Sequence, residues 1–178
     1  MAMTLLTGGA SSGKSRTAVG LATASGRPVT LIATAEARDE EMVARIARHR
    51  AERPSTWRVL EEPIDVVGAF ADAGDDVVIL DCLTLWVANL LGAGRSDEEI
   101  DTLARRGAAV CAERGAPTIV VTNEVGSGIV PMHPVGRRYR DVLGGVNATF
   151  AGAAAQVTLM VAGRAVVLQD ASDTVVLS

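Results

Sequence analysis

Short runs of apolar residues, many of them β-branched, recur along the chain and are separated by longer stretches of mixed character. Five of these runs predict buried strands: Met3–Thr7, Val29–Ala33, Val77–Leu80, Thr118–Thr122 and Val157–Val161. Because the runs are almost continuously apolar, they favour a parallel sheet covered on both faces over a half-exposed antiparallel sheet.

The stretches between the runs predict helices or partial helices over five segments: Lys14–Thr23, Arg38–Arg53, Ile64–Ala73, Asp97–Arg114 and Val135–Ala155. Ser96 is placed to cap the fourth helix, with Asp97 and Glu98 in its first turn. Strands that alternate with helices imply βαβ units and a doubly wound α/β fold. We therefore expect a mostly parallel sheet flanked by helices.

The end of the chain predicts a hairpin. Two apolar segments, Ala165–Leu168 and Thr174–Leu177, are separated by Gln169–Asp173. No internal repeat, low-complexity tract or clear linker interrupts the sequence, so residues 1–178 are interpreted as a single domain.

Composition restricts the class of protein. The formal net charge of −4 and the sequence pI near 5.2 argue against a general nucleic-acid-binding protein, which would be basic. The two cysteines, Cys82 and Cys111, exclude a disulfide scaffold and indicate a reducing compartment. No apolar run reaches the ~18 residues of a membrane span, and the amino terminus lacks a signal-peptide pattern. We expect a cytoplasmic protein without a membrane span.

The first predicted strand and helix are joined by a phosphate-binding motif. Gly8-Gly9-Ala10-Ser11-Ser12-Gly13-Lys14-Ser15 fits G-x-x-x-x-G-K-[ST] at every fixed position, in the strand–loop–helix context that the motif requires. Its glycines allow backbone N–H groups to surround a phosphate, and the helix N-terminus adds partial positive charge. Lys14, the only lysine of the chain, is expected to reach the β- and γ-phosphates, and Ser15 to bind Mg²⁺. The alternative is an ordinary Gly/Ser turn.

Carboxylates follow two of the predicted strands. Asp81 directly follows the third strand and is the candidate second ligand of Mg²⁺, although a residue there could instead cap the next helix. Glu124, after the fourth strand, is a further carboxylate candidate. Since parallel sheets bind ligands at the carboxyl ends of their strands, Thr34, Asp81 and Asn123-Glu124 are expected to converge near the phosphate loop.

One of the two histidines, His49, lies among arginines on the second predicted helix. Arg45, Arg48, Arg50 and Arg53 occupy positions i−4, i−1, i+1 and i+4 around it. Neighbouring cations favour the neutral imidazole that a nucleophile needs, and they could hold the phosphates that it attacks. The alternative, which the helix by itself favours, is a solvated basic face that happens to carry a histidine.

A glycine-hinged apolar segment, Gly126–Pro131, follows Asn123-Glu124. Loops of this type beside a phosphate site often bind the second substrate or close over the site. A simple connecting turn is the alternative.

Several blocks of the sequence carry a resemblance to a known family. They are the Thr7–Ser15 loop, Ile32–Ala35, Asp39–Arg50, Trp57 with Glu61–Pro63, Asp81–Trp86 with Asn89–Leu91, Asn123–Pro131 and Arg137–Asn147. The phosphate loop alone is generic, but Arg-Ile-x-x-His together with Thr-Asn-Glu-Val-Gly-x-Gly-Ile-Val-Pro is far more specific. From Thr4 to Leu168 the chain resembles the bifunctional adenosylcobinamide kinase/adenosylcobinamide-phosphate guanylyltransferase family.

The resemblance implies a P-loop NTPase fold, a homotrimer, a requirement for Mg²⁺ and two transfers in the assembly of cobalamin. GTP or ATP first phosphorylates the aminopropanol hydroxyl of adenosylcobinamide. GTP then transfers GMP to an enzyme histidine and releases pyrophosphate. The guanylyl group finally passes to adenosylcobinamide phosphate, which gives adenosylcobinamide-GDP.

The resemblance also implies roles for individual residues. His49 is the guanylylated histidine. Lys14 as the other catalytic residue, and Ser15 and Asp81 as the metal ligands, come from the phosphate-loop motif. The nucleotide-binding positions are Gly8, Gly9, Ala10, Ser11, Ser12, Gly13, Lys14, Ser15, Thr34, Ala35, Glu36, Arg50, Ala51, Glu52, Arg53, Glu61 and Asp81. Some members carry consecutive histidines where this chain has Arg48-His49, so His49 is the one candidate nucleophile on this helix.

Two other classes of protein explain part of the sequence. A plain P-loop small-molecule kinase uses Lys14, Ser15 and Asp81, but it gives His49 no role and forms no covalent adduct. A non-catalytic GTP-binding regulatory protein is the second alternative. The Asn-Lys-x-Asp guanine motif typical of GTPases is absent, because Asn123 is followed by Glu-Val-Gly.

Overall fold

Strands and helices alternate along most of the chain. The computed structural model describes residues 3–37, 39–51 and 53–170. Its strands are β1 (Met3–Gly8), β2 (Val29–Ala33), β3 (Arg58–Glu61), β4 (Val77–Asp81), β5 (Thr118–Val121), β6 (Gln156–Val161) and β7 (Arg164–Asp170). Its helices are α1 (Lys14–Ala24), α2 (Glu40–Ala51), α3 (Val66–Asp72), α4 (Leu83–Gly92), α5 (Asp97–Glu113) and α6 (Pro134–Ala153).

The strands form one sheet in the order β3-β2-β4-β5-β1-β6-β7. In this order, each of the first six strands is parallel to its neighbours among those six, and β7 pairs antiparallel with β6. The segments that follow β1, β2, β4 and β5 therefore leave the sheet at the same edge. The predicted class, a mostly parallel sheet flanked by helices, is confirmed.

Apolar strand residues face both sides of the sheet, as continuous apolar runs predict. In β4, Val78 and Leu80 pack in a core with α3 to α6, whereas Val77 and Ile79 pack in a second core with α1. All four side chains are buried. Burial of each contributes roughly 1.5–3 kcal/mol of transfer free energy, so the two cores hold the carboxyl end of this central strand in place.

All five predicted strands and all five predicted helices are present, with small shifts at their ends. Ser96 caps α5 as predicted, because its hydroxyl accepts the Glu99 N–H and the Glu99 carboxylate accepts the Ser96 N–H.

The sequence pattern does not predict α4 and β3. Leu83, Trp86 and Leu90 of α4 are all buried, as is the polar residue Asn89, so this helix lacks the exposed face that gives helical periodicity. β3 is an edge strand with mostly exposed residues, so it carries no continuous apolar run.

A C-terminal hairpin is present, but its pairing differs from the predicted one. Ala165–Leu168 belongs to β7, which pairs with β6 across the turn Ala162-Gly163. The predicted turn Gln169–Asp173 is wrong in its first two residues, which extend β7. Gly163 has a φ of +75° and supplies a tight turn beside the apolar run of β6. The other predicted strand, Thr174–Leu177, lies outside the described residues.

Within the described ranges, no helix is both long enough and apolar enough to cross a membrane.

Candidate active site

The phosphate loop, residues 8–15, is shaped by two glycines. Gly8 has a φ of +143°, and a Cβ on it would lie 2.3 Å from the carbonyl oxygen of Met160. Gly13, which precedes α1, has a φ of +100°. Other residue types are strained at both positions, so backbone geometry explains the two fixed glycines of the motif.

Lys14 begins α1 and folds back over this loop. Its Nζ donates hydrogen bonds to the carbonyl oxygens of Gly8 at 2.9 Å and Gly9 at 2.6 Å, and to Oγ of Ser12 at 3.3 Å. The residue is buried. The loop thus holds one compact positive charge where the motif binds phosphates.

The turn between β6 and β7 supports the loop. The Gly163 N–H donates to the carbonyl oxygen of Ser12 at 2.9 Å, and the Gly163 Cα lies 3.3 Å from where a Cβ on Gly13 would be. The C-terminal hairpin therefore helps to shape the phosphate loop, although it contains none of the predicted site residues.

A cavity of about 1190 Å³ opens at the carboxyl ends of the strands and includes the phosphate loop. Small-molecule sites typically have about 300–1,000 Å³, so this volume exceeds what one small ligand needs. The cavity is lined by the predicted site residues Ala10, Ser11, Ser12, Gly13, Lys14, Ser15, Ala35, Glu36, His49, Arg50, Arg53, Glu61 and Asp81. Positions far apart in the sequence thus meet in one place.

Five predicted nucleotide-binding residues are not seen among the cavity-lining residues: Gly8, Gly9, Thr34, Ala51 and Glu52. The two glycines supply the carbonyl groups that hold Lys14. Thr34 is fully buried, Ala51 is the last residue of α2, and Glu52 lies outside the described residues.

His49 lies at this cavity, near the C-terminal end of α2. Its Nδ1 is 4.0 Å from Oδ2 of Asp81, and Arg53 donates a hydrogen bond to the same oxygen at 3.1 Å. The side chains of Asp81 and Arg53 are 13% exposed, and that of His49 is 32% exposed. The alternative of a merely solvated basic face therefore does not describe His49 and Arg53, which both lie against Asp81. Because Nδ1 faces the carboxylate, Nε2 is the imidazole nitrogen left for chemistry.

A second ion pair links the end of α2 to the sheet edge. Arg50 pairs with Glu61 of β3, and both side chains are more than half exposed. Exposed pairs of this kind contribute little to stability, about 0–1 kcal/mol. The side chain of Arg45, four residues before His49, lies outside the described part of the chain.

Hydrogen bonds with Thr34 hold the backbone of Asp81 and Cys82 in place. The Thr34 N–H donates to the carbonyl oxygen of Asp81 at 3.1 Å. The Thr34 hydroxyl donates to the Cys82 carbonyl oxygen at 2.8 Å and accepts the Cys82 N–H at 2.9 Å. The side-chain amide of Asn89 donates to the Thr34 carbonyl oxygen at 2.8 Å. This predicted nucleotide-binding residue thus holds the end of β4 in the structure.

Cys82 also lines the cavity. Burial, and then the nearby charge of Asp81, raise the pKa of its thiol to about 11. The thiol therefore stays protonated at neutral pH and is a poor nucleophile.

Asn123, at the end of β5, is held by α4 and α6. The Thr84 hydroxyl accepts the Asn123 N–H at 2.8 Å, and the Asn147 side chain donates to the Asn123 carbonyl oxygen at 3.0 Å. The Tyr139 hydroxyl donates to the Thr84 carbonyl oxygen at 3.1 Å. Asn123 lines the cavity, as the convergence of strand ends predicts.

Glu124 is close to the phosphate loop through its backbone only. Its N–H donates to the Gly8 carbonyl oxygen at 3.1 Å. Its carboxylate accepts the N–H groups of Gly126 and Ser127 and is not among the groups that line the cavity. The carboxylate of Glu124 therefore shapes the start of the following loop.

That loop presents apolar side chains. Ile129 is 97% exposed and Met132 is 91% exposed. The loop is fastened at its far end, because Arg137 donates hydrogen bonds to the carbonyl oxygens of Pro131 at 3.1 Å and Met132 at 2.7 Å.

The cavity also has an apolar side, whose residues are not among the predicted site residues. It is formed by Met42, Ile46, Val59, Pro63 and Leu85. On α2, the spacing of Met42, Ile46 and His49 places them on one helix face, which is a usable signal. Val59 and Leu85 belong to β3 and α4, the two elements without a predictive pattern.

The residues present fit a nucleotide-bound magnesium ion. Among the described residues, no cluster of three or more His, Cys, Asp or Glu side chains could hold a metal alone. Mg²⁺ bound to a nucleotide needs only one or two protein ligands, because phosphates and water supply the rest. Ser15 and Asp81 both line the cavity, and Oδ1 of Asp81 accepts no hydrogen bond from a described residue.

Comparison with known proteins decides the family. Residues 4–168 match the family described as cobinamide kinase / cobinamide phosphate guanyltransferase. The chain belongs to this family. It is therefore an enzyme, and the resemblance given by its sequence blocks is confirmed.

Curated relatives match nearly the whole chain of this cobinamide kinase/guanyltransferase. The bifunctional adenosylcobalamin biosynthesis protein CobP of Pseudomonas aeruginosa is 44% identical over 165 residues, 89% of this chain and 92% of that protein. The bifunctional adenosylcobalamin biosynthesis protein CobU of Salmonella typhimurium is 41% identical over 175 residues, 90% of this chain and 96% of that protein.

Solved structures of P-loop NTPases share the fold of this family member. The RadB recombinase superimposes with a TM-score of 0.51 and 15% identity, over 89% of this chain and 73% of that one. An ATPase of a type III secretion system has a TM-score of 0.57 and 13% identity, over 89% of this chain and 50% of that one. At such low identity the likeness shows the fold alone, and it confirms the predicted P-loop NTPase fold.

Proposed function

We propose that this enzyme transfers a phosphoryl group from GTP or ATP to the hydroxyl of adenosylcobinamide, and then transfers GMP from GTP to adenosylcobinamide phosphate through a guanylylated His49. The observation that carries this proposal is the place of His49. It lines the same cavity as the phosphate loop, with Nδ1 4.0 Å from Asp81.

The phosphate loop serves the first transfer. Its backbone N–H groups and Lys14 bind the β- and γ-phosphates. The acceptor hydroxyl oxygen forms a bond to the γ-phosphorus while the bond from that phosphorus to the β–γ bridging oxygen breaks, so GDP or ADP leaves and the hydroxyl proton passes to solvent. Ser15 and Asp81 would hold Mg²⁺, which neutralises charge on the phosphate oxygens when it is bound.

His49 serves the second transfer. The lone pair of Nε2 forms a bond to the α-phosphorus of GTP, while the bond from that phosphorus to the bridging oxygen breaks and its electron pair leaves with pyrophosphate. The proton stays on Nδ1, and the resulting positive charge faces the Asp81 carboxylate at 4.0 Å.

The guanylyl group then leaves the enzyme. A phosphate oxygen of adenosylcobinamide phosphate attacks the same phosphorus, and the electron pair of the N–P bond returns to Nε2. The phosphoramidate conserves the reactivity of the GTP bond, so the second displacement needs no further activation.

The exposed apolar loop Gly126–Pro131 is the proposed contact for the corrinoid. It follows Asn123, which lines the cavity, and it presents Ile129 and Val130 to solvent. A large acceptor whose phosphate enters the cavity must extend beyond it, and an apolar loop at this edge can cover part of its ring. Deletion of Ile129-Val130 is expected to weaken corrinoid binding, and unchanged corrinoid affinity would reject this contact.

The homotrimer remains a prediction of the family resemblance, and the cytoplasmic location remains a prediction from the composition of the sequence. Sedimentation equilibrium of the purified chain tests the first, and fractionation of the source cells tests the second.

Covalent labelling tests the guanylylated histidine. The wild-type protein is incubated with Mg²⁺ and GTP labelled at the α-phosphorus, denatured and run on a gel beside His49→Ala. We expect label on the wild type that is lost in acid and stable in alkali, as for a phosphoramidate, and no label on the variant.

His133→Ala is the matched control for that experiment. His133 is the other histidine of the chain, and it is exposed before α6 with no side-chain cap hydrogen bond. It should label like the wild type. Absence of label from wild-type protein that still binds GTP would instead favour a plain kinase.

A further inference from the structure

A smaller cavity of about 260 Å³ lies on one side of His49. It is bounded by Ser15, Arg16, Val19, His49 and Arg53, and we refer to it as the side cavity. Ser15, Arg16, His49 and Arg53 also line the large cavity. A group bound to His49 can therefore be contacted from both cavities.

Arg16 and Arg48 differ from the other cations that line the large cavity, and of these two only Arg16 also borders the side cavity. Lys14 is held by loop carbonyl groups, Arg53 by Asp81 and Arg50 by Glu61. Arg16 is exposed, and it makes no hydrogen bond or ion pair with any residue that the structure describes. No family motif quoted above assigns it a role.

We propose that Arg16, together with Arg53, binds the α-phosphoryl group that is transferred to His49, with the side cavity as the subsite for that group. Lys14 and the phosphate loop then bind the part of GTP that leaves as pyrophosphate. This inference rests on the proposed guanylylation of His49.

The chemistry of the transfer explains why a separate cation is needed. When the N–P bond forms and the bond to the bridging oxygen breaks, pyrophosphate carries its charge away toward the phosphate loop. The two non-bridging oxygens of the α-phosphorus stay on the enzyme with their negative charge. A guanidinium can bind both oxygens in a bidentate manner, and Arg16 lies next to both Ser15 and His49 around the side cavity.

The same assignment separates the two transfers. Phosphorylation of the acceptor hydroxyl moves the γ-phosphoryl group and forms no bond to the α-phosphorus. Arg16 should therefore matter for guanylyl transfer and much less for phosphoryl transfer.

Two ligands that represent the two halves of the triphosphate test the subsite directly. Binding of GMP and of inorganic pyrophosphate is measured separately by calorimetry on the whole chain, for the wild type, Arg16→Ala and Arg16→Lys. Loss of a charge-assisted contact predicts that Arg16→Ala weakens GMP binding about tenfold or more, with less than about threefold change for pyrophosphate. Arg16→Lys should restore part of the GMP affinity, because it keeps the charge but not the planar fork.

Arg106→Ala is the control variant, because Arg106 is also an exposed arginine without a described partner and lies on α5, on the other side of the sheet. It should bind both ligands like the wild type. Equal weakening of GMP and pyrophosphate by Arg16→Ala, or no weakening of GMP, would overturn the proposal.

Labelling by α-labelled GTP gives a second readout. Arg16→Ala should slow the appearance of label at least tenfold and leave phosphorylation of adenosylcobinamide within about threefold. If the wild type acquires label and Arg16→Ala acquires it equally fast, the role of Arg16 is wrong. If the wild type acquires none, the guanylylated histidine is wrong, and the GMP and pyrophosphate affinities still decide where Arg16 acts.

Discussion

The phosphate loop and the end of α2 meet in one cavity, but the fold holds them in different ways. The loop is held against the sheet: Gly8 lies against the Met160 carbonyl group, the Gly163 N–H donates to the Ser12 carbonyl oxygen, and Lys14 is buried. The end of α2 is largely exposed, and side-chain ion pairs attach it to Asp81 and Glu61.

The difference indicates how two transfers can share one site. In the proposed function, both transfers need phosphate binding, which depends on backbone shape and on one buried cation. The proposed attack by His49, which only guanylyl transfer needs, depends on side-chain contacts that can be removed one at a time. Some substitutions should therefore remove guanylyl transfer and leave phosphoryl transfer intact. Substitutions that remove phosphoryl transfer should remove guanylyl transfer as well.

The largest effect is expected for Lys14→Ala. Because Lys14 is the cation of the loop that both proposed transfers use, both rates should fall by about 10²–10³-fold. Phosphorylation and guanylylation of the acceptor are measured on the same preparation, with Arg106→Ala as the unaffected control. Loss of one activity alone would contradict a shared phosphate site.

Gly8→Ala should destabilise the fold around the loop. A Cβ there would lie 2.3 Å from the Met160 carbonyl oxygen, at a φ of +143°, so we expect a cost of about 1–3 kcal/mol in the free energy of unfolding. Denaturant unfolding measures it. Gly9→Ala is the matched control, since a Cβ at Gly9 would meet nothing within 4 Å. Equal stability of the two variants would show that the close approach to β6 does not shape the loop.

Arg53→Gln should slow guanylylation of His49 about tenfold or more, because it removes a partly buried charged contact that holds the Asp81 carboxylate. The rate of covalent labelling measures this effect. Phosphorylation of adenosylcobinamide should change less, and equal losses in both transfers would contradict a role at the histidine.

Arg50→Gln is expected to give the smallest effect. Its pair with Glu61 is exposed, so the free energy of unfolding should change by less than about 1 kcal/mol. Arg50 and Arg53 lie close together in the chain, so their comparison separates the pair at Asp81 from general loss of positive charge. If Arg50→Gln lost as much labelling as Arg53→Gln, the effect of Arg53→Gln could not be assigned to its pair with Asp81.

The parts of the molecule that were predictable are those whose signal is local. The phosphate loop has fixed spacing between Gly8 and Ser15, and Asp81 directly follows a continuous apolar run, so both could be placed from the sequence. The buried strands of the parallel sheet were predictable for the same reason.

The features of the site that could not be predicted depend on contacts between segments that are distant in the sequence. The approach of His49 to Asp81 requires α2 to lie against the end of β4, and nothing in the helix sequence shows this. The support of the loop by Gly163 joins residues from opposite ends of the chain. Helix α4 is buried nearly all round, and β3 is an exposed edge strand. Neither has the periodicity on which prediction rests, so their contribution to the apolar side of the cavity was not predicted.

Measurement of both transfers on one preparation of His49→Ala tests the central claim most directly. Phosphorylation of adenosylcobinamide by GTP and formation of adenosylcobinamide-GDP are followed separately, with His133→Ala beside it. We predict that phosphorylation stays within a few-fold of the wild type, while formation of adenosylcobinamide-GDP is lost. Guanylyl transfer that persists in His49→Ala would contradict the account, because the product would then form without the histidine.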